Sequence, residues 1–172
     1  MRAIRAWLLV FLIGLTLSGI TAFPLVTETR LLSELLHALP APDGLVAWVD
    51  RVHEGLAVTG ERYPFLAYGT DWLAFAHLMI AAAFWGPWRD PVRNLWVIEW
   101  GMVCCAAIVP LALIAGPIRG LPLWWELIDI SFGVFGVVPL LVIRARIRAL
   151  AAVSAADGPG GARSAPTRSR TA

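Results

Sequence analysis

Residues 123–148 read LWWELIDISFGVFGVVPLLVIRARIR. Between Leu123 and Ile143 only Glu126 and Asp129 are ionisable, and Arg144, Arg146 and Arg148 follow at once. At about 1.5 Å of rise per residue the apolar run is about 30 Å long, the thickness of a bilayer's hydrocarbon core. Indole rings favour headgroup level, and arginine resists translocation. Tryptophans at the head of the stretch and arginines at its foot therefore predict a transmembrane helix whose arginine end stays in the cytoplasm.

The same pattern recurs upstream, at about residues 95–115, 69–88 and 6–23. Of the four, only 6–23 lacks an ionisable residue. Arg2 and Arg5 precede it, as in a signal peptide, and Ile20-Thr21-Ala22 would serve as a cleavage site. A run of about 18 apolar residues exceeds the usual 7–15 of a signal sequence, which favours an uncleaved anchor. Cleavage would leave three spans in the same orientation. The chain is 59% apolar and 15% charged over 172 residues, against roughly 45–50% and about 25% in soluble domains. That balance argues against a soluble globular enzyme and against a disordered chain, and a net charge of +2 does not suggest a nucleic-acid binder. All fourteen basic residues are arginine, as in a GC-rich bacterial genome.

The predicted architecture is an all-α integral membrane domain over residues 1–150, a four-helix bundle of four spans, followed by a Gly-, Pro-, Ser-, Ala- and Arg-rich tail over 151–172 that reads as disordered. Arg2 and Arg5, then Arg89 and Arg93, then Arg144, Arg146 and Arg148 mark one side of the membrane. On the other side, residues 27–71 carry three arginines against seven carboxylates, and the loop after span three only Arg119. Both termini are expected in the cytoplasm of a bacterial inner membrane. Tail arginines Arg163, Arg168 and Arg170 are available to anionic lipid.

The extracytoplasmic segment 27–66 has helical periodicity. Leu31, Leu32, Leu35, Leu36 and Leu39 make one stripe, which Pro40-Ala41-Pro42 ends because proline lacks the backbone donor. Leu45, Trp48, Val49, Val52 and Leu56 make a second, leaving Asp50, His53 and Glu54 on a polar face. Both predict amphipathic helices lying on the membrane surface or capping the bundle.

An ionisable group within a span asks for a partner or a task. His77 lies about 7 Å below Trp72 and Asp129 about 6 Å below Trp125, at matching depth. Glu126 is one turn above Asp129 on the same face, and Asp71 stands at the mouth of span two. These four form a candidate polar cluster. Its structural role would be a hydrogen bond locking two helices; its functional role, an imidazole made basic enough to exchange protons or bind a metal. Glu99 enters from the cytoplasmic side, either reaching back to Arg89 or Arg93 or acting as a separate inner proton station. Asp50, His53 and Glu54, with His37, are weak metal candidates. Cys104 and Cys105 point about 100° apart and suggest packing. Gly14 with Ser18, and Gly133 with Gly136, permit close helix approach, and Pro110 and Pro139 are expected to kink or open their helices.

No nucleophile elbow, P-loop, Rossmann fingerprint or zincin motif occurs, and no cofactor is indicated. Two roles fit: a non-enzymatic accessory protein that associates with lipid and with a copy of itself or a larger membrane partner, or a proton-coupled or quinone-linked helper using His77 and Asp129.

Overall fold

The computed structural model describes residues 1–156, with side chains through Val153. Expectations for residues 157–172 lie outside the described residues. The described residues are all-helical, 88% helix, with no strand among them. Its elements are α1 (Arg2–Thr21), α2 (Leu25–Ala38), α3 (Asp43–Arg62), a 3-10 turn (Pro64–Leu66), α4 (Tyr68–Ala83), α5 (Trp85–Arg89), α6 (Leu95–Arg119) and α7 (Leu123–Ala156). Among the described residues, four stretches are long and apolar enough to cross a membrane: Arg2–Thr21, Pro64–Arg89, Leu95–Arg119 and Leu123–Val153.

Prolines and one glycine set the breaks. Leu39, before Pro40, is extended at φ −114° and ψ 157°, and Tyr63 is non-helical before Pro64, because a proline ring crowds an α-helical predecessor. Span two does not run unbroken to Trp88 as expected. It stops at Ala83 and resumes as α5. Pro87 has no N–H to offer the Ala83 carbonyl, and its ring crowds that turn. At the end of α6, Gly120 adopts φ +71°, and Leu121 N–H donates to Gly116 O at 3.0 Å while Gly120 N–H donates to Pro117 O at 3.2 Å. These are the paired bonds of a Schellman cap. Pro110 and Pro139 leave α6 and α7 continuous.

Helix α7 continues thirteen residues past Ile143. Leu140, Ile143 and Ile147 recur at helical spacing and are fully buried, and Arg and Ala are strong helix formers, so nothing stops the helix where the apolar run ends.

Two compact units make up the described chain: Met1–Phe11 with the residues from Phe84 on, and Leu12–Ala83. In the first, α6 and α7 run antiparallel in a register that glycines permit. A Cβ on Gly101 would meet Phe84 and Leu140; one on Gly133 would come within 2.6 Å of the Cys105 carbonyl; one on Gly136 would meet Cys105 Sγ. Cys105 is buried packing, as its spacing suggested. Ile4 and Leu8 are buried in the same unit, and Phe11 packs on Phe84 in a tilted arrangement with ring centroids 4.8 Å apart. In the second unit α2 and α3 form a hairpin, and Gly19 of α1 sits against His77 and the Ala74 carbonyl of α4.

Candidate functional site

The α6–α7 pair carries three of the intramembrane candidates, Glu99 at one end and Glu126 with Asp129 at the other. Toward the arginine end, Glu99 Oε1 accepts from Arg144 Nε at 2.9 Å and from Arg148 Nη2 at 3.0 Å. Arg89 and Arg93, named above as its partners, are not the residues it pairs with. Antiparallel packing sets Glu99 opposite the helix turn that begins at Arg144, a pairing that sequence distance hides. One carboxylate answers two guanidinium groups four residues apart on α7, which ties the two helices at this end.

At the other end Glu126 is 3% exposed and packs directly against Gly116, where a Cβ would overlap its carboxylate. Asp129, one turn along α7, is half-buried. Glu126 and Asp129 are three residues apart on α7 and so fall on one side of that helix. The burial of Glu126 depends on residue 116 having no side chain, a dependence visible only once the α6–α7 register is known.

His77 and Asp71 belong to the other unit. His77 Nδ1 lies 2.8 Å from the Leu73 carbonyl. A carbonyl only accepts, so Nδ1 carries the proton in that bond and Nε2 is left as the position for another partner.

The α2–α3 hairpin holds a connected polar seam. Ser33 Oγ donates to Asp50 Oδ1, and His37 Nε2 donates to Asp50 Oδ2 at 3.0 Å. Thr29 gives its hydroxyl proton to Leu25 O at 2.8 Å and lies 3.2 Å from His53 Nδ1. The Ser33 hydrogen bond acts most strongly to hold Asp50 below its ordinary carboxylate value; burial opposes it next, and the bond and charge of His37, with the charge of His53, add to the lowering. Asp50 and His53 therefore both turn inward to α2, while Glu54 stays exposed. The outward convergence of Asp50, His53 and Glu54 expected above does not form, and among the described residues no group of three or more His, Cys, Asp or Glu side chains is arranged to hold a metal. An open cleft of about 360 Å³ beside the seam is lined by His37, Asp50, Leu36, Leu39, Asp43 and Val46 among others.

Polar contact between α2 and α3 leaves the leucines of α2 unused. Leu31, Leu32, Leu35 and Leu39 are all exposed, a consequence that apolar periodicity alone did not disclose. No family model, no curated protein and no solved structure matches the chain.

Proposed function

We propose that the chain is a multi-pass inner-membrane protein of bacterial type, with both termini cytoplasmic and residues 27–66 outside, and that it is a non-enzymatic accessory or partner-binding subunit. The supporting observation is how little the apolar helices cover one another. In the most apolar window of Pro64–Arg89 only 6% of residues are buried, and even in Leu123–Val153 only 28%. Trp72, Leu73, Phe75, Met79 and Trp85 all face outward. Such a surface needs lipid or another protein over it, since soluble monomers rarely expose contiguous apolar patches beyond a few hundred Å². Arginine distribution supports the orientation.

The test is assembly. A photo-crosslinking amino acid at Phe75 or Met79 is expected to trap a discrete protein adduct in cells, and the purified chain is expected to migrate as an assembly in mild detergent. A lone monomer together with no adduct at either position refutes the reading. A second reading, proton handling by His77 and Asp129, is favoured by the burial of Glu126 beside Asp129. His77→Gln separates the two. Loss of pH-dependent transport or ligand binding with assembly intact selects the second reading; weakened assembly alone selects the first.

A further inference from the structure

We infer that the Leu31, Leu32 and Leu35 face of α2, with Leu39 just past its end, rests in the headgroup–acyl boundary of the outer leaflet, with α3 stacked on its water side. The inference rests on the membrane reading above.

At 100° per residue, Leu31, Leu32 and Leu35 span one side of α2, with Leu39 just past its end, while Thr29, Ser33 and His37 fall on the opposite side. The second side is committed to α3 through the Asp50 and His53 hydrogen bonds. The leucines are 40–54% exposed, so the hairpin does not bury them. Continuity with the apolar helices says what covers them. Only three residues separate Thr21, the end of α1, from Leu25, the start of α2, so α2 begins where the first span leaves the bilayer. At the hairpin's other end the exposed Tyr63, Phe65 and Tyr68 flank and open the second apolar stretch, which begins at Pro64, and Arg62 lies over the Tyr63 ring at 5.4 Å. Aromatic rings and arginine in that place are interface anchors. With both ends held at headgroup depth, the apolar side of α2 meets lipid and the polar seam stays above it. Glu28, at the head of the leucine face, sits in α2's first turn, where free backbone N–H groups favour a carboxylate.

Charge narrows the lipid. Residues 25–62 hold three arginines and six carboxylates, so the hairpin gains nothing from anionic headgroups and docks by apolar area. It differs in this from basic amphipathic helices, whose binding rises with anionic lipid.

The test places a benzophenone amino acid singly at Leu35, Glu54 and Phe135 of the full chain in nanodiscs of phosphatidylcholine, with lipid adducts counted by mass spectrometry. Phe135, highly exposed on α7, reports on the membrane reading itself. Expected is a lipid adduct at Leu35 comparable to that at Phe135 and about tenfold above that at Glu54, as for a helix half-sunk in the interface. Replacing a third of the lipid by phosphatidylglycerol is expected not to raise it. Lipid adducts at Phe135 with only protein adducts, or none, at Leu35 overturn this inference alone. An absence of lipid at Phe135 overturns the membrane reading and this inference together. A yield at Leu35 that climbs with phosphatidylglycerol overturns the apolar mode of docking.

Discussion

Gly133→Ala adds one methyl group to the α6–α7 interface, and its effect follows from what that methyl meets. The new Cβ would lie 2.6 Å from the Cys105 carbonyl oxygen and 3.4 Å from Ile108 Cβ. The first contact is backbone, so no rotamer change relieves it and α6 must move. Overpacking of this kind costs about 1–3 kcal/mol, while replacing a mid-helix glycine by alanine returns about 0.8–1.0 kcal/mol of helix propensity. Gly14→Ala supplies the control, because nothing lies within 4 Å of its Cβ position. There the propensity gain acts alone. The same chemical change in two apolar helices is therefore expected to differ by about 1–3 kcal/mol, with Gly133→Ala the less stable and Gly14→Ala at or above the parent. Gly101→Ala falls between them, since its obstacles are the ring edge of Phe84 and the end of Leu140. Unfolding in mild detergent by stepwise addition of dodecyl sulfate, followed by circular dichroism, ranks the three. A Gly133→Ala protein as stable as Gly14→Ala would refute the close antiparallel register of α6 and α7.

The remaining expectations concern charge and one turn. Asp50, held below the ordinary carboxylate range by Ser33 and His37, contributes hairpin stability that is full above the ordinary range and lost as pH falls through its lowered value. Amide-exchange protection in α2, taken relative to the intrinsic rate at each pH, should accordingly fall in acid, and Asp50→Asn should remove that acid-dependent step; an unchanged profile would discount the seam. Glu99→Gln should weaken the protein less than Gly133→Ala does, because Glu99, Arg144 and Arg148 are all partly solvated. The Glu99→Gln difference should shrink as salt rises from about 0.1 to 1 M and the screening length falls from about 10 to about 3 Å. Gly120→Ala places a side chain at φ +71° and should cost about 1–2 kcal/mol, read by the same unfolding titration, with no compensating gain.

Much of the helix layout was legible because apolar length and proline are local signals. The Pro40-Ala41-Pro42 break is found where expected. Span two's interruption was also written in the chain, four residues ahead of Pro87, but a hydropathy window averages over a missing hydrogen bond. The extension of α7 escaped because bilayer thickness limits an apolar run and places no limit on a helix rich in arginine and alanine. Pair identities were less accessible. Glu99 is separated from Arg144 by 45 residues, and only the antiparallel register brings them together, whereas Arg89 and Arg93 are near in sequence. The hairpin reversed a usual assumption. Leucine periodicity suggests a face to be buried, but α2 contacts α3 through Thr29, Ser33 and His37, whose hydrogen bonds require specific partners that periodicity does not encode.

The same register constrains how a partner helix can approach if the accessory reading holds. Close approach between membrane helices needs small residues, since the backbones must come within van der Waals reach. Gly101, Gly116, Gly133 and Gly136 are already used within the α6–α7 unit, and Gly19 is used against His77 and Ala74. Gly14 alone among the glycines of the four apolar stretches that the sequence pairs with a second small residue, Ser18, has open space over its Cβ position, and both residues are exposed. A bulky Gly14→Leu is thus expected to leave the detergent-purified chain at least as stable as the parent, since nothing packs on that position and helix propensity rises, while abolishing the assembly seen in native membranes. Loss of stability in the purified chain would mean that Gly14 packs within this polypeptide. Unchanged assembly would move the partner's contact to the large side chains of α4, where Phe75 and Met79 face outward.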